Sequence, residues 1–167
     1  MRVGLLIDPI DPELTYRENI QKASELGFKV LQLWYRDMVS ESDGKPGVIL
    51  ELLGKLGLEL KSLAAYMDIL DPEREWDEVF SDMKEAIDFA ADARVDYVVT
   101  ESGGVPGGTE AWEQMITRFR KLADYAGSRD LVLLVENGPG VLVRSAELMA
   151  RMMNEVDSPY LGFNFDP

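Results

Sequence analysis

Short apolar runs and longer amphipathic runs alternate from one end of this chain to the other. The apolar runs are Val3 to Ile7, Val30 to Tyr35, Leu58 to Tyr66, Tyr97 to Thr100, Leu131 to Val135 and Tyr160 to Phe165. Their length and their content of β-branched, leucine and aromatic residues predict six buried strands. The intervening segments ENIQKASELG, ILELLGKLG, DEVFSDMKEAIDFAADA, EAWEQMITRFRKLADYAG and SAELMARMMNEV predict five helices. In the third of these, Val79, Phe80, Met83, Ala86, Ile87 and Ala90 recur at three- and four-residue spacings, so one face is apolar and should cover a sheet. Gly27, Gly57 and Gly127 follow helical runs and suit left-handed C-caps, while Thr109 and Ser145 stand where N-caps belong. Met149, Met152 and Met153 read as helix packing rather than as a ligand surface.

A strand, a helix and another strand in strict succession form βα units, whose right-handed crossovers make the strands parallel and put the helices outside. Two α/β architectures fit: an open doubly wound sheet and part of a (β/α)₈ barrel. The first βα turn, DPIDPELTYREN, is acidic and lacks the glycine fingerprint of a dinucleotide-binding fold. Polar residues instead collect after every strand: Asp8, Tyr35 with Arg36, Tyr66 with Asp68, Glu101, Glu136 with Asn137, and Asp166. Convergence of such residues at the carboxyl ends of several strands is the barrel pattern. No linker or low-complexity segment divides residues 1–167, so a single partial-barrel domain is expected.

Composition narrows the chemistry. The chain has no cysteine and no histidine, which excludes disulfides, thiolate metal sites, a Ser-His-Asp triad and a His-ligated zinc site built from this chain alone. Its net charge of −14 argues against nucleic acid as a partner. No apolar stretch is long enough for a membrane span, and MRVGLLID is too short for a signal peptide, so a cytoplasmic protein is expected. The stretch SGGVPGG lacks the Lys-Ser or Lys-Thr ending of a phosphate loop. Glu136 and Asp166 stand out because each ends a run so apolar that an unpartnered carboxylate there would cost several kcal/mol.

The segments VLLVEN, ending in Glu136 and Asn137, and SPYLGFNFDP, carrying Asp166, resemble the fifth and sixth strands of xylose isomerase-like TIM barrels, the sugar phosphate isomerase/epimerase superfamily. ENIQKASELGFKVLQLW, LKSLAAYMDILDPE and VDYVVTESGG agree with it at the first helix and the second, third and fourth strands. The resemblance implies a divalent cation held by four side chains, of which Glu136 takes the fifth-strand position and Asp166 the sixth. It also implies barrels of about 250 residues. The chain is therefore expected to end inside its own active site, without the last two strands and their ligands.

With oxygen ligands the implied metal is Mn²⁺ or Mg²⁺, and a histidine from the remaining strands would admit Zn²⁺ or Co²⁺. The implied reaction is isomerisation or epimerisation of a sugar or sugar phosphate, with a proton removed and returned through an enediolate and Glu136 serving as one base. Glu101 is either a contact for a substrate hydroxyl or a solvated loop carboxylate. Trp34 and Tyr66 are either walls against the sugar or core, and Asn137 is a further substrate-binding candidate. The competing expectation is a non-catalytic partial barrel, a binding or assembly module forming homo-oligomers through exposed sheet edges.

Overall fold

The computed structural model describes residues 4–7, 11–104 and 108–166. Six parallel strands form one sheet in sequential order: β1 (Gly4–Leu6), β2 (Val30–Trp34), β3 (Glu59–Ala64), β4 (Tyr97–Glu101), β5 (Val132–Glu136) and β6 (Leu161–Asn164). Among the described residues six helices connect them: α1 (Tyr16–Glu25), α2 (Tyr35–Ser42), α3 (Gly47–Leu56), α4 (Trp76–Asp92), α5 (Thr109–Gly127) and α6 (Ala146–Val156). Five helices were expected. The additional one arises because β2 passes directly into α2 at Trp34, and the turn that separates α2 from α3 carries left-handed Asp43 and Gly44 and then Pro46. Tyr35 and Arg36, expected at a strand end, instead open α2; Arg36 is exposed, and the Tyr35 ring packs edge-on against Phe89 at 5.5 Å.

Alternation within the strands assigns the two faces of the sheet. Leu31 and Leu33 of β2 and Leu133 and Val135 of β5 are wholly buried beneath the helices. They meet Ile20 and Ala23 of α1, Ile49 and Leu53 of α3, Met83 and Ile87 of α4, Phe119 of α5 and Met149 and Met152 of α6 in one continuous core. Each such aliphatic side chain contributes about 1.5–3 kcal/mol by leaving water. The opposite face bears the intervening residues, Gln32 and Trp34 on β2 and Val132, Leu134 and Glu136 on β5, all only partly buried. Among the described residues β1 and β6 each have one strand neighbour, so the sheet is open.

Helix ends follow local chemistry with two exceptions. Ser145 caps α6 by accepting a hydrogen bond from the Leu148 amide, as expected, and Thr15 and Glu18 form a reciprocal capping box at α1. Gly57 is the left-handed C-cap of α3, and Gly27 lies just past α1 with φ +90°. Thr109 is not a cap: Gly108 precedes the helix with φ 130°, and Thr109 is its first residue. Gly127 is not left-handed either, since it is the last residue of α5 and the left-handed residue that follows is Asp130. A glycine is needed there for another reason, because a Cβ would run into the ring of Tyr160. No described helix is long and apolar enough to cross a membrane.

Candidate functional site

Parallel strands in register bring residues distant in sequence to one edge. Glu101 is the register partner of Glu136 across β4 and β5, and Glu136 is the partner of Asn164 across β5 and β6. Register partners on neighbouring strands share a face, so Asn164 stands on the face that bears Glu136, and Asp166 follows two residues on, past the end of β6. At this carboxyl edge lies an open cavity of about 340 Å³ lined by Trp34, Tyr66, Glu101, Glu136, Asn137 and Asp166, together with Leu6, Gly138, Pro139 and Val141. All six residues named from the sequence as site candidates thus border one space. Asp8 lies outside the described residues, as do residues 105–107 of the SGGVPGG stretch.

Glu136 is held asymmetrically. Its Oε2 accepts a hydrogen bond from the Tyr66 hydroxyl at 2.7 Å and another from the Asn164 amide, whereas Oε1 accepts none from the described residues. Tyr66 is packed in turn against Trp34, with ring centroids 5.0 Å apart and planes tilted by 59°. Burial, the bond to Glu136 and the charges of Glu136, Glu101 and Asp166 push the Tyr66 hydroxyl far above its usual range, so it remains a donor at neutral pH. The Asn137 side chain is engaged on both of its polar atoms. Its amide donates to the Asp166 carbonyl oxygen at 2.7 Å, and its oxygen accepts from the Asp166 backbone N–H at 3.1 Å. The Asp166 carboxylate itself is exposed and has no hydrogen-bond partner among the described residues.

Glu101 is half-buried, and its carboxyl is raised above the usual range, first by burial and then by the charges of Asp68 and Glu136. Asp68 has a structural task. Its Oδ1 accepts from the backbone N–H groups of Leu70 at 2.9 Å and Gly104 at 3.0 Å, tying the loop after β3 to the loop after β4. Gly103 has φ +87°, and any Cβ on it would collide with that same oxygen. The paired glycines of the SGG segment therefore admit an aspartate rather than a phosphate. The loop after β4 is also bonded to the loop after β5, through Val143 N–H to Ser102 Oγ at 2.9 Å and Leu142 N–H to the Gly103 carbonyl at 3.1 Å.

Asn164 was not among the sequence candidates. A signal for it existed, since in LGFNFDP it is the polar residue two places before Asp166 in an otherwise apolar strand. A second cavity, of about 230 Å³, lies beside α1 and α2 and is bordered by Tyr16, Asn19, Asp37 and Glu41. Asn19 there is committed to the carbonyls of Asp11, Leu14 and Thr15, and burial raises the Tyr16 hydroxyl well above its ordinary range.

The donor set at the carboxyl edge is made of oxygen, and the described residues lining the cavity include three carboxylates and no lysine or arginine. That chemistry fits part of the shell of a hard divalent cation. Among the described residues no three carboxylates converge closely enough to complete such a shell.

The family model of xylose isomerase-like TIM barrels matches residues 20–167. A search of curated proteins found no matching sequence. Among solved structures, a probable 3-DHS dehydratase from Bacillus anthracis aligns with a TM-score of 0.83 at 19% identity, covering 99% of this chain and 63% of its own. D-Psicose 3-epimerase from Clostridium cellulolyticum H10, solved with D-tagatose, gives a TM-score of 0.83 at 15% identity with the same coverage. A xylose isomerase-like TIM barrel protein from Mycobacterium smegmatis, in complex with magnesium, gives 0.74 at 19%, covering 89% of this chain and 55% of its own. The chain thus spans less than two thirds of the length of these relatives, and its open six-stranded sheet is an incomplete form of their barrel. Matched over most of its length and built from consecutive βα units, this chain belongs to the xylose isomerase-like TIM barrel family.

Proposed function

We propose that this chain carries the larger part of a divalent-metal-dependent isomerase or epimerase acting on a sugar or sugar phosphate in the cytoplasm. The observation behind this reading is the one cavity at the carboxyl edge that Glu101, Glu136 and Asp166 all border, walled by Trp34 and Tyr66. Glu136 and Asp166 are the residues that would hold Mn²⁺ or Mg²⁺. When bound, such a cation polarises the carbonyl and hydroxyl oxygens of an open-chain sugar and so acidifies the C–H bond between them.

The protein's own groups then divide the work. The Glu136 carboxylate, steadied by the Tyr66 hydroxyl and the Asn164 amide, takes the proton from that carbon and returns it, with an enediolate between the two steps. Glu101, bordering the same cavity, contacts a hydroxyl of the sugar. Trp34 and Tyr66 offer an apolar wall to the C–H face of the sugar. A base on one side of the carbon exchanges its proton without inverting it, and inversion needs a second base on the opposite side.

The test is deuterium wash-in. With Mn²⁺ and a ketohexose in D₂O, the wild-type chain is expected to exchange the proton beside the carbonyl with little net epimerisation, and Glu136→Gln to reduce exchange by about 10²-fold or more. Exchange that ignores both Mn²⁺ and Glu136→Gln would overturn the reading. The open sheet and the exposed Phe165, at 65%, favour a second reading, a non-catalytic assembly module that pairs through β1 and β6.

A further inference from the structure

The last two strands share a feature beyond the ligand positions themselves. Asn164, on β6, donates its amide to the carboxylate of Glu136 on β5. Asn137, directly after β5, holds the backbone of Asp166, directly after β6, through both its amide and its oxygen. Each strand thus supplies the asparagine that fixes the other strand's acidic residue. We infer that Asn164 and Asn137 form a reciprocal brace of positioning residues, which presents Oε1 of Glu136 and the Asp166 carboxylate together to a divalent cation; this rests on the metal-dependent reading above.

The choice of residue type supports the inference. A carboxylate half-shielded from water on a strand needs donors, and an arginine or lysine would supply them together with a positive charge that competes with a cation. An asparagine amide fixes the carboxylate and leaves its charge intact. Two donors on Oε2, from Asn164 and Tyr66, leave one oxygen of Glu136 to face the cavity. Asn137 restrains the Asp166 main chain just past the end of β6, where no ladder partner does so among the described residues. Its two-point contact fixes the backbone from which a carboxylate without a partner among the described residues extends. Leucine is of similar size to asparagine and carries no donor, which makes it a suitable probe at Asn164.

The experiment pairs Mn²⁺ affinity, measured by electron paramagnetic resonance of the free ion, with side-chain amide spectra of ¹⁵N-labelled protein. In the wild type the Asn164 amide pair is expected to exchange slowly and to move in Glu136→Gln, while the Asn137 pair stays in place. Asn164→Leu and Asn137→Ala are each expected to weaken Mn²⁺ binding by about 10- to 100-fold with backbone spectra otherwise unchanged. Undiminished Mn²⁺ affinity in both variants would overturn the brace and leave the metal reading standing. Absence of Mn²⁺ binding in the wild type, with the Asn164 pair still responding to Glu136→Gln, would remove the metal reading and keep the brace. If Asn164→Leu fails to fold, the comparison of wild type with Glu136→Gln decides alone, and an Asn164 amide pair indifferent to that substitution refutes the contact.

Discussion

Single residues at the carboxyl edge are constrained by close approach and by charge. Gly103 combines φ +87° with a Cβ position already occupied by Asp68 Oδ1 and 2.9 Å from the Leu70 nitrogen. Gly103→Ala should therefore cost about 1–3 kcal/mol in urea denaturation. Adding Asp68→Ala should recover little, because the backbone conflict with Leu70 persists and the bonds to Leu70 and Gly104 are lost. Glu101 tests the electrostatics. Its folded-state carboxyl is raised, so between the ordinary glutamate range and that raised value the folded state binds more protons than the unfolded one, and stability falls as pH rises through this window. With divalent ions chelated, Glu101→Gln should melt about 2 °C above wild type at pH 7, a modest effect because the group is only half-buried and water still screens it. The gain should vanish below about pH 4, where the carboxyl is protonated in both states. A difference that persists at low pH would assign the effect to packing instead.

Secondary-structure elements are fastened to one another by contacts at their ends. The last residue of α5, Gly127, lies under the ring of Tyr160 just before β6, so the helix terminus and the strand entry interlock. Gly127→Ala would raise helix propensity in isolation but should destabilise the protein by about 1–3 kcal/mol through overpacking. A double-mutant cycle with Tyr160→Ala should show strong coupling, whereas additive losses would mean that the ring moves aside freely. At the other side of the same layer, Trp112 of α5 donates to Glu155 of α6 at 2.6 Å while Arg151 covers the indole at 4.2 Å. Ser145→Ala, which removes the α6 cap, should cost about 1 kcal/mol by thermal melting, and no loss would show that water replaces the cap.

For the molecule as a whole the decisive property is an open sheet. A barrel has no edges, but β1 and β6 here each keep one unpaired side among the described residues, and Phe165 beside β6 is 65% exposed. Sedimentation velocity over about a hundredfold range of concentration should show reversible association. A single monomeric species throughout, unfolding in one cooperative transition, would count against edge pairing and against the assembly reading. Closure by further βα units, as in relatives of which the chain covers 63%, should abolish the association.

What the sequence determined by itself follows from periodicity, which is local. Alternating apolar runs placed six strands, three- and four-residue spacings placed most helices, and the strict βα order made the sheet parallel and sequential. The same order put Glu101, Glu136 and Asp166 at strand ends and hence on one edge. The helix Tyr35–Ser42 escaped notice because it starts directly where β2 ends, so its first residue reads as the end of the apolar strand run, and its boundary with α3 is set by left-handed Asp43 and Gly44. Only the tertiary structure decided which polar groups satisfy one another: Tyr66 with Glu136 across 70 positions, Asn164 with Glu136 across 28, Asn137 with Asp166 across 29, and Asp68 with Gly104 across 36. Such pairings depend on strand register and on the paths of separate loops. No window along the chain contains both partners, whereas the pattern that makes each strand lies wholly within its own residues.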